Sequence, residues 1–298
     1  MKTTFIATVL NEEKTIGRFL ESIVNQSTKP DQIVITDGGS TDKTVEKIKA
    51  FQKSHHASIL LLQKKGNRSI GRNVAIEKAK GDIIFCSDAG CVLDKDWIKN
   101  ILKPFSDKSI DVVAGYYQGI GNTVFQKCLI PYVLVMPDKV DPNSFLPATR
   151  SMAFRKKVWE SVGKFPEQFS HNEDYVFAKE LQKRNMRIIF AKEAIVYWYP
   201  PADLDSAYTM FYRFAKGDAQ ARIFRPKVVL IFIRYFIFVL CLIFITSLFY
   251  LLLSLYIIYT IMKNYKYVQD LHALYILPLL QFTSDIAVIR GTIEGLIW

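Results

Sequence analysis

The apolar run VVLIFIRYFIFVLCLIFITSLFYLLLSLYIIYTIM limits the possible folds of this chain more than any other feature. It covers Val228–Met262, and Arg234 is its only charged residue. An uninterrupted apolar run of about 18 residues or more is a candidate membrane span. A buried core helix of this length would be unusual in a soluble protein. The run therefore predicts a membrane region that follows a domain of ordinary soluble composition.

The composition predicts a globular domain at 1–222 and a membrane region at 223–298. The apolar run itself predicts either one long tilted helix or a tight hairpin, because it is short for two spans of about 20 residues each. Lys263 and Lys266 follow the run directly and favour the hairpin, with both ends on one side of the membrane. The tail at 271–298 is apolar but interrupted by proline and charged residues, which predicts a further span or an interfacial helix.

Basic residues cluster before the apolar run, with only Asp218 opposing them: Arg213, Lys216, Arg222, Arg225 and Lys227. Such a cluster favours the cytoplasmic side of a membrane. The apolar segment Thr3–Leu10 is too short for the core of a signal peptide. We therefore expect localisation in the cell (inner) membrane, with domain 1–222 in the cytoplasm. Anionic headgroups attract the same basic residues, so we expect membrane lipids as partners. The net charge of +11 does not require nucleic acid, and no nucleic-acid partner is expected.

Strand and helix signals alternate along the first hundred residues. Apolar runs predict strands at 3–10, 32–36, 58–62 and 82–86, and helical apolar spacing predicts helices around 16–24, 45–48 and 70–79. Ser40 or Thr41 is the predicted N-cap of the second helix, with Asp42 in its first turn. This alternation predicts an α/β fold in which helices cover both faces of a mostly parallel sheet.

Polar residues follow the predicted strands at their carboxyl ends: Asn11 and Glu12, then Asp37, then Asp88. Parallel sheets bind ligands at that edge. The Asp37 carboxylate could accept hydrogen bonds from a ligand, with Gly38 and Gly39 leaving room for close approach, and Asp88 could hold a cation that neutralises phosphate. Alternatively, Asp-Gly-Gly-Ser forms a plain turn and each acid caps a helix. Taken together, the successive strand-end acids favour a nucleotide site.

The segment TFIATVLNEEKTIGRFLESIVNQSTKPDQIVITDGGSTDKT resembles the opening of the inverting glycosyltransferases of family 2, of the membrane-anchored bacterial and archaeal type. Later segments resemble the family in the same order: Gly71-Arg72-Asn73, Lys80–Phe85, Ser87–Gly90, Ala153–Arg155, Val162–Pro166 and Asn172–Asp174. The resemblance covers about residues 3–220. It implies the GT-A fold, which is Rossmann-like with a mixed, mostly parallel sheet, followed here by C-terminal transmembrane helices.

The resemblance also implies a donor site for a UDP- or GDP-linked sugar. Its base would lie near Thr8 and Asn11, with Asp37 accepting a hydrogen bond from it, and Asp88 would help to bind Mg²⁺ or Mn²⁺ on the pyrophosphate. The residues that the resemblance implies for nucleotide-sugar binding are Thr8, Asn11, Glu12, Asp37, Gly39, Arg72, Asn73, Asp88, Arg213 and Lys216. Arg213 and Lys216 either close over the pyrophosphate or serve as juxtamembrane anchors.

For catalysis, the resemblance implies that Asp174 is the general base and that Glu173 positions the acceptor. Without the resemblance, the two acids read as the first turn of a helix that carries Phe177 and Leu181. The expected acceptor is a hydroxyl or phosphate group of a glycan or a lipid-linked compound. The implied activity is that of a glycosyltransferase, a hexosyltransferase in cell-envelope glycan synthesis.

Two departures from the family pattern affect these expectations. Gly90 stands where the D-x-D motif has its second acid, so the predicted metal site rests on Asp88 and metal dependence should be weaker. The Gln-x-x-Arg-Trp motif of processive relatives is absent, which argues against a processive polymerase. A catalytically silent nucleotide-sugar-binding or scaffold protein is therefore the alternative. A sugar-phosphate nucleotidylyltransferase is disfavoured, because Asn11-Glu12-Glu13 replaces its glycine-rich basic signature.

Overall fold

The computed structural model of the protein describes residues 1–297, and the chain forms two compact units. The first unit comprises Met1–Gln118 and Pro137–Trp198, and the second comprises Gly119–Met136 and the chain from Tyr199 onward. The strands are β1 Thr3–Val9, β2 Gln32–Asp37, β3 Ile59–Gln63, β4 Ile83–Cys86, β5 Cys91–Leu93, β6 Val112–Gly119, β7 Met152–Arg155 and β8 Ile188–Trp198. The α-helices are α1 Ile16–Val24, α2 Thr44–Ser54, α3 Arg68–Lys78, α4 Trp97–Leu102, α5 Val124–Val133, α6 Lys156–Ser161, α7 Glu173–Lys183, α8 Leu204–Gln220, α9 Pro226–Phe244, α10 Thr246–Asn264 and α11 Ala273–Leu296.

The first unit is built on one sheet of eight strands in the order β3-β2-β1-β4-β7-β6-β8-β5. Strands β3, β2, β1 and β4 pair in parallel, as predicted, and β7 begins the antiparallel half by pairing with β4 and β6. The four predicted strands agree with the observed ones to within a residue or two. Buried runs such as Phe5-Ile6-Ala7 explain this agreement, because a strand covered on both faces is apolar throughout.

The predicted start of the second helix was wrong. Helix α2 begins at Thr44, and Lys43 is its N-cap residue without a side-chain hydrogen bond. Asp42 instead accepts hydrogen bonds from the Thr44 backbone N–H at 3.0 Å and from the Thr44 hydroxyl at 2.5 Å. The predicted caps Ser40 and Thr41 lie three and two residues before the observed N-cap, so Asp42 belongs to the turn that precedes the helix and not to its first turn.

The second unit is helical. Helices α5, α8 and α11 share an apolar cluster that includes Leu129, Phe211 and Leu277. Glycines bring α11 very close to α8, since a Cβ at Gly291 would lie 2.4 Å from the Tyr212 carbonyl oxygen and one at Gly295 2.6 Å from that of Lys216. Such small residues allow two helix backbones to approach closely.

The long apolar run forms two helices rather than one. Helices α9 and α10 are separated only by Ile245, and Phe238 contacts both Phe249 and Tyr256 across the pair, at ring-centroid distances of 6.1 and 6.0 Å. These contacts fold the run back on itself as a hairpin. Helices α9, α10 and α11 are each long and apolar enough to span a membrane. The boundary at residue 222 and the number of crossings stay predictions.

Candidate active site

The carboxyl ends of the parallel strands bring the predicted acids to one edge of the sheet. Val9 pairs with Asp37 in the register of β1 and β2, and Asp88 follows directly after β4 on the other side of β1. Glu12 follows β1, and burial raises the pKa of its carboxyl group. The negative charges of Asp88 and Asp42 raise this pKa further. The hydrogen bond from Thr15 and the positive charge of Arg68 oppose the rise. This edge therefore concentrates negative charge.

Arg72 is the centre of the site. Its guanidinium donates to Glu173 Oε1 at 2.5 Å, to Asp88 Oδ1 at 3.0 Å and to Thr149 Oγ1 at 2.9 Å. The Arg72 side chain is 2% exposed and that of Glu173 is 3% exposed, so both charges depend on this pairing. A buried guanidinium is stable when its N–H groups form hydrogen bonds with several oxygen atoms. The network thereby links the end of β4 to the start of α7.

Asp88 is held in its charged form by the arginines around it. Burial alone would raise the pKa of Asp88, but Arg72, Arg68 and Arg150 together lower it. The side chain remains 33% exposed. Its second oxygen, Oδ2, has no hydrogen-bond partner within residues 1–297, so it is available to a ligand.

Asp174 has a different environment from Asp88. It lies beside Glu173 in the first turn of α7, where its Oδ1 accepts a hydrogen bond from the Tyr175 backbone N–H at 2.8 Å. Burial and the neighbouring Glu173 carboxylate raise the pKa of Asp174, against the lowering effects of Arg72 and Arg150. One edge thus carries a carboxylate of lowered pKa and a carboxylate of raised pKa, the pattern of paired groups with separate roles.

The Asp37 carboxylate forms hydrogen bonds with the backbone of its own loop. Its carboxylate accepts from the backbone N–H groups of Gly39 and Ser40, both at 3.1 Å, and the residue is 1% exposed. Gly39 has a φ of +103°, which requires glycine. Asn11 braces the same loop by accepting from the Thr41 N–H at 2.9 Å. The loop is thus preformed, and the donor-binding roles of these three residues stay predictions.

Other residues with predicted donor-binding roles lie in different surroundings, and those roles stay predictions. Asn73 is 3% exposed and bonds Phe165 and the Trp159 indole, which fixes the chain that follows α6. Thr8 contacts Gly71, where a Cβ would lie 2.6 Å from the Thr8 methyl group. Arg213 and Lys216 belong to α8 in the second unit, where Lys216 donates to the Tyr212 hydroxyl at 3.2 Å.

Two site residues come from the segment 116–150, where the sequence contains no motif. Thr149 is 1% exposed and accepts from Arg72, and Arg150 follows it beside Asp88. Both lie just before β7, which pairs antiparallel with β4 and so reaches the same sheet edge. The sequence offered no signal for them, because no motif in this segment indicates that the chain returns beside β4.

The residues of the site fit a divalent cation only if Asp88 is the single protein ligand of that cation. Within the described part of the chain, no group of three His, Cys, Asp or Glu side chains is arranged to hold a metal. Mg²⁺ commonly retains several waters and takes phosphate oxygens from a substrate. The free Asp88 oxygen suits that mode, and a Cβ at Gly90 would meet nothing within 4 Å, so the cradle is open on that side.

Comparison with known proteins identifies the family. The family model described as Glycosyl transferase family 2 matches residues 4–162, and the one described as Glycosyl transferase family group 2 matches residues 113–281. The chain belongs to glycosyltransferase family 2. This confirms the family predicted from the sequence motifs.

The matches to individual relatives cover only part of each relative's length. Glycosyltransferase GlyA of Streptococcus pneumoniae is 28% identical over 122 residues, which cover 41% of this chain and 18% of GlyA. The O-antigen chain rhamnosyltransferase RfbN of Salmonella typhimurium is 25% identical over 221 residues, which cover 66% of each chain. The chain therefore spans less than two thirds of the length of both relatives.

Among solved structures, the fold is similar to that of the mannosyltransferase PcManGT from Pyrobaculum calidifontis in complex with GDP-Man and Mn²⁺. The TM-score is 0.58 at 18% sequence identity, and the match covers 73% of this chain and 62% of PcManGT. The predicted GT-A fold followed by C-terminal membrane helices is thereby confirmed.

Proposed function

We propose that this protein transfers a sugar from a UDP- or GDP-linked donor to a hydroxyl or phosphate acceptor, with inversion at the anomeric carbon. The single observation that carries the proposal is the Arg72 network, which ties Asp88 and the Glu173–Asp174 pair into one site while their environments separate the pKa values of Asp88 and Asp174. The named activity of RfbN and the GDP-Man and Mn²⁺ bound to PcManGT support a nucleotide-sugar donor and a divalent cation.

Asp174 is the general base of the proposed reaction. Its carboxylate takes the proton of the acceptor hydroxyl as the acceptor oxygen forms a bond to the anomeric carbon. On the opposite face, the bond from that carbon to the phosphate oxygen breaks, and the nucleoside diphosphate leaves with the electron pair. A raised pKa suits this role, because it brings the proton affinity of the base closer to the working pH.

Glu173 and Arg72 hold the Asp174 base in position. Glu173 is buried against Arg72, so the first turn of α7 stays fixed relative to β4. Asp88 with its free oxygen would hold Mg²⁺ or Mn²⁺, which when bound supplies positive charge to the departing diphosphate. Asp37, Gly39, Asn11, Glu12 and Thr8 form the proposed base-binding side of the donor site.

For localisation, we propose the cell (inner) membrane with the first unit in the cytoplasm. The support comes from basic residues at the start of α9 and at the end of α10: Arg222, Arg225, Lys227, Lys263 and Lys266. In a hairpin, the start of the first helix and the end of the second lie on the same side of the membrane. A lipid-linked acceptor is consistent with such an anchor. The catalytically silent alternative retains one favourable observation, Gly90 in place of the second motif acid.

The test is release of nucleoside diphosphate by the full chain in detergent, with a panel of UDP- and GDP-sugars and a membrane lipid extract as acceptor. We expect release from one donor, suppressed by EDTA and reduced about 10²- to 10⁴-fold in Asp174→Asn. Asp205→Asn, an exposed acid of α8, is the matched control and should leave the rate unchanged. Full activity of Asp174→Asn would exclude it as the base. Donor binding without transfer for any pairing would favour the silent alternative.

A further inference from the structure

Arg150 is held rigidly at the edge of the site by its backbone. It occupies a turn closed by the hydrogen bond from Ser151 N–H to the Ala148 carbonyl, at 3.0 Å. The carbonyl of Arg150 accepts from the Ser87 hydroxyl at 2.8 Å, which fixes the turn to the end of β4. Thr149 in the same turn accepts from Arg72. These hydrogen bonds therefore fix the backbone of Arg150 next to the end of β4, close to Asp88.

The guanidinium of Arg150 rests on aromatic rings. Its central carbon lies 4.9 Å from the centre of the Trp198 ring and 5.6 Å from that of Tyr117. Cation–π contacts of this kind hold the guanidinium beside the rings without using its N–H groups. Neither an ion pair nor a side-chain hydrogen bond of Arg150 occurs within residues 1–297. Its donors are thus oriented but unused.

Arg72 provides the contrast within the same site. Its guanidinium donates to three side-chain oxygens of the site, and its nucleotide-sugar-binding role stays a prediction. Arg150 instead is half-buried, and its charge opposes the effect of burial on the pKa of both Asp88 and Asp174, although the pKa of Asp174 remains raised. An oriented guanidinium with free donors is a site for a planar or tetrahedral oxyanion, above all a phosphate.

We propose that Arg150 binds a phosphate group of a substrate through its guanidinium, as an oxyanion-binding residue beside Asp88 and Asp174. The inference rests on the proposed function, because it assumes a phosphate-bearing substrate in this site. Two sources share the chemistry: the diphosphate of the donor, whose negative charge grows as it leaves, and a phosphate group on the acceptor. Trp198 and Tyr117 position the guanidinium for two parallel hydrogen bonds, which lysine cannot reproduce.

The experiment measures binding of UDP, GDP, uridine and guanosine to the full chain in detergent by titration calorimetry, for the wild type, Arg150→Met and Arg150→Lys. If the donor diphosphate is the ligand, the Kd of the nucleoside diphosphate rises about 10- to 100-fold in Arg150→Met. The Kd of the nucleoside stays unchanged. Arg150→Lys should recover part of the loss, because it keeps the charge but not the planar fork.

Arg155→Met is the matched control, because Arg155 also stacks on an aromatic ring, with its central carbon 5.4 Å from the ring centre of Phe105. Its guanidinium donates to backbone carbonyls such as that of Ile110 at 2.8 Å. This variant should bind nucleoside diphosphate like the wild type. A loss equal to that of Arg150→Met would mean that losing any stacked arginine suffices, and would overturn the proposal.

A second arm distinguishes the acceptor from the donor. If the Kd for nucleoside diphosphate is unchanged in Arg150→Met but the KM for a phospholipid extract as acceptor rises about tenfold, the acceptor phosphate is the ligand. If both constants are unchanged in Arg150→Met and in Arg150→Lys, the proposal is overturned while the proposed function stands. If the wild type itself binds no nucleoside diphosphate and transfers no sugar, the proposed function fails and the inference fails with it.

Discussion

Within residues 1–297, the arginine–carboxylate cluster around Arg72 and the one around Asp285 are built differently. In the first unit, Arg72 pairs with both Asp88 and Glu173, so carboxylates outnumber the guanidinium. In the apolar helices, Arg234 of α9 pairs at 2.7 Å with one carboxylate, that of Asp285 of α11. The first cluster keeps an excess of negative charge, whereas the second is neutral.

The surroundings of the second cluster explain its composition. Asp285 is 0% exposed and accepts further hydrogen bonds from the Tyr256 hydroxyl at 2.6 Å and the Gln281 amide at 3.0 Å. A charge in an apolar environment is costly unless it is paired and hydrogen-bonded. The Asp285 carboxylate of α11 therefore joins three helices, through Arg234 of α9 and Tyr256 of α10. The Arg72 cluster opens at Asp88, where an oxygen is left for a ligand. The comparison separates a cluster that keeps a free carboxylate oxygen from one whose carboxylate joins helices.

The largest effect is expected from breaking the first cluster. Arg72→Met leaves Glu173 and Asp88 without their shared partner, and removing one member of a buried pair typically costs about 3–5 kcal/mol. We expect a loss of that size in the free energy of unfolding, measured by urea unfolding of the full chain in detergent, and loss of sugar transfer. Lys164→Met breaks the exposed pair with Glu77 and should cost about 1 kcal/mol or less. Equal losses in the two variants would contradict the assigned role of Arg72.

Breaking the second cluster should cost less. Asp285→Ala leaves Arg234 unpaired, but hydrogen bonds between membrane helices have measured values of about 0.6 kcal/mol on average and 1.7 at most. Adding the cost of an unpaired guanidinium, we expect a loss of about 1–3 kcal/mol in SDS-induced unfolding. The double variant Arg234→Leu, Asp285→Leu should recover most of that loss. If the double variant is as unstable as the single one, the pair is not what holds these helices.

The two clusters also mark the limit of prediction from sequence. Strands β1, β2 and β4 were predictable because their apolar runs reflect burial on both faces. The Arg72 network was not, because its partners lie 16, 77 and 101 positions away in the chain. In the same way, the apolar run could not reveal the break at Ile245, since neither glycine nor proline marks it. Local chemistry such as the turn of Asp37 was within reach, and long-range pairing was not.

The pH dependence of sugar transfer should change when the Arg72 cluster is altered and stay the same when the Asp285 cluster is altered. The base must be deprotonated, so the rate is full above the pKa of Asp174 and falls about tenfold per pH unit below it. Because burial and Glu173 raise that pKa, the acid limb should lie above the value of about 3.9 for an ordinary aspartate. Glu173→Gln removes the like charge and should move the limb to lower pH. Asp285→Asn should leave it in place. A limb that moves equally in both variants would exclude a local effect on Asp174.

The smallest expected effect comes from adding a carboxylate to the open cluster. A Cβ at Gly90 meets nothing within 4 Å, so Gly90→Asp introduces no clash at its Cβ and supplies the missing acid of the D-x-D motif. One added ligand of about 1.4 kcal/mol would lower the Mn²⁺ concentration for half-maximal transfer about tenfold. Gly17→Asp on α1 is the matched control, because a Cβ there also meets nothing within 4 Å. A metal titration that is identical in Gly90→Asp and wild type would mean that the cation does not bind beside Asp88.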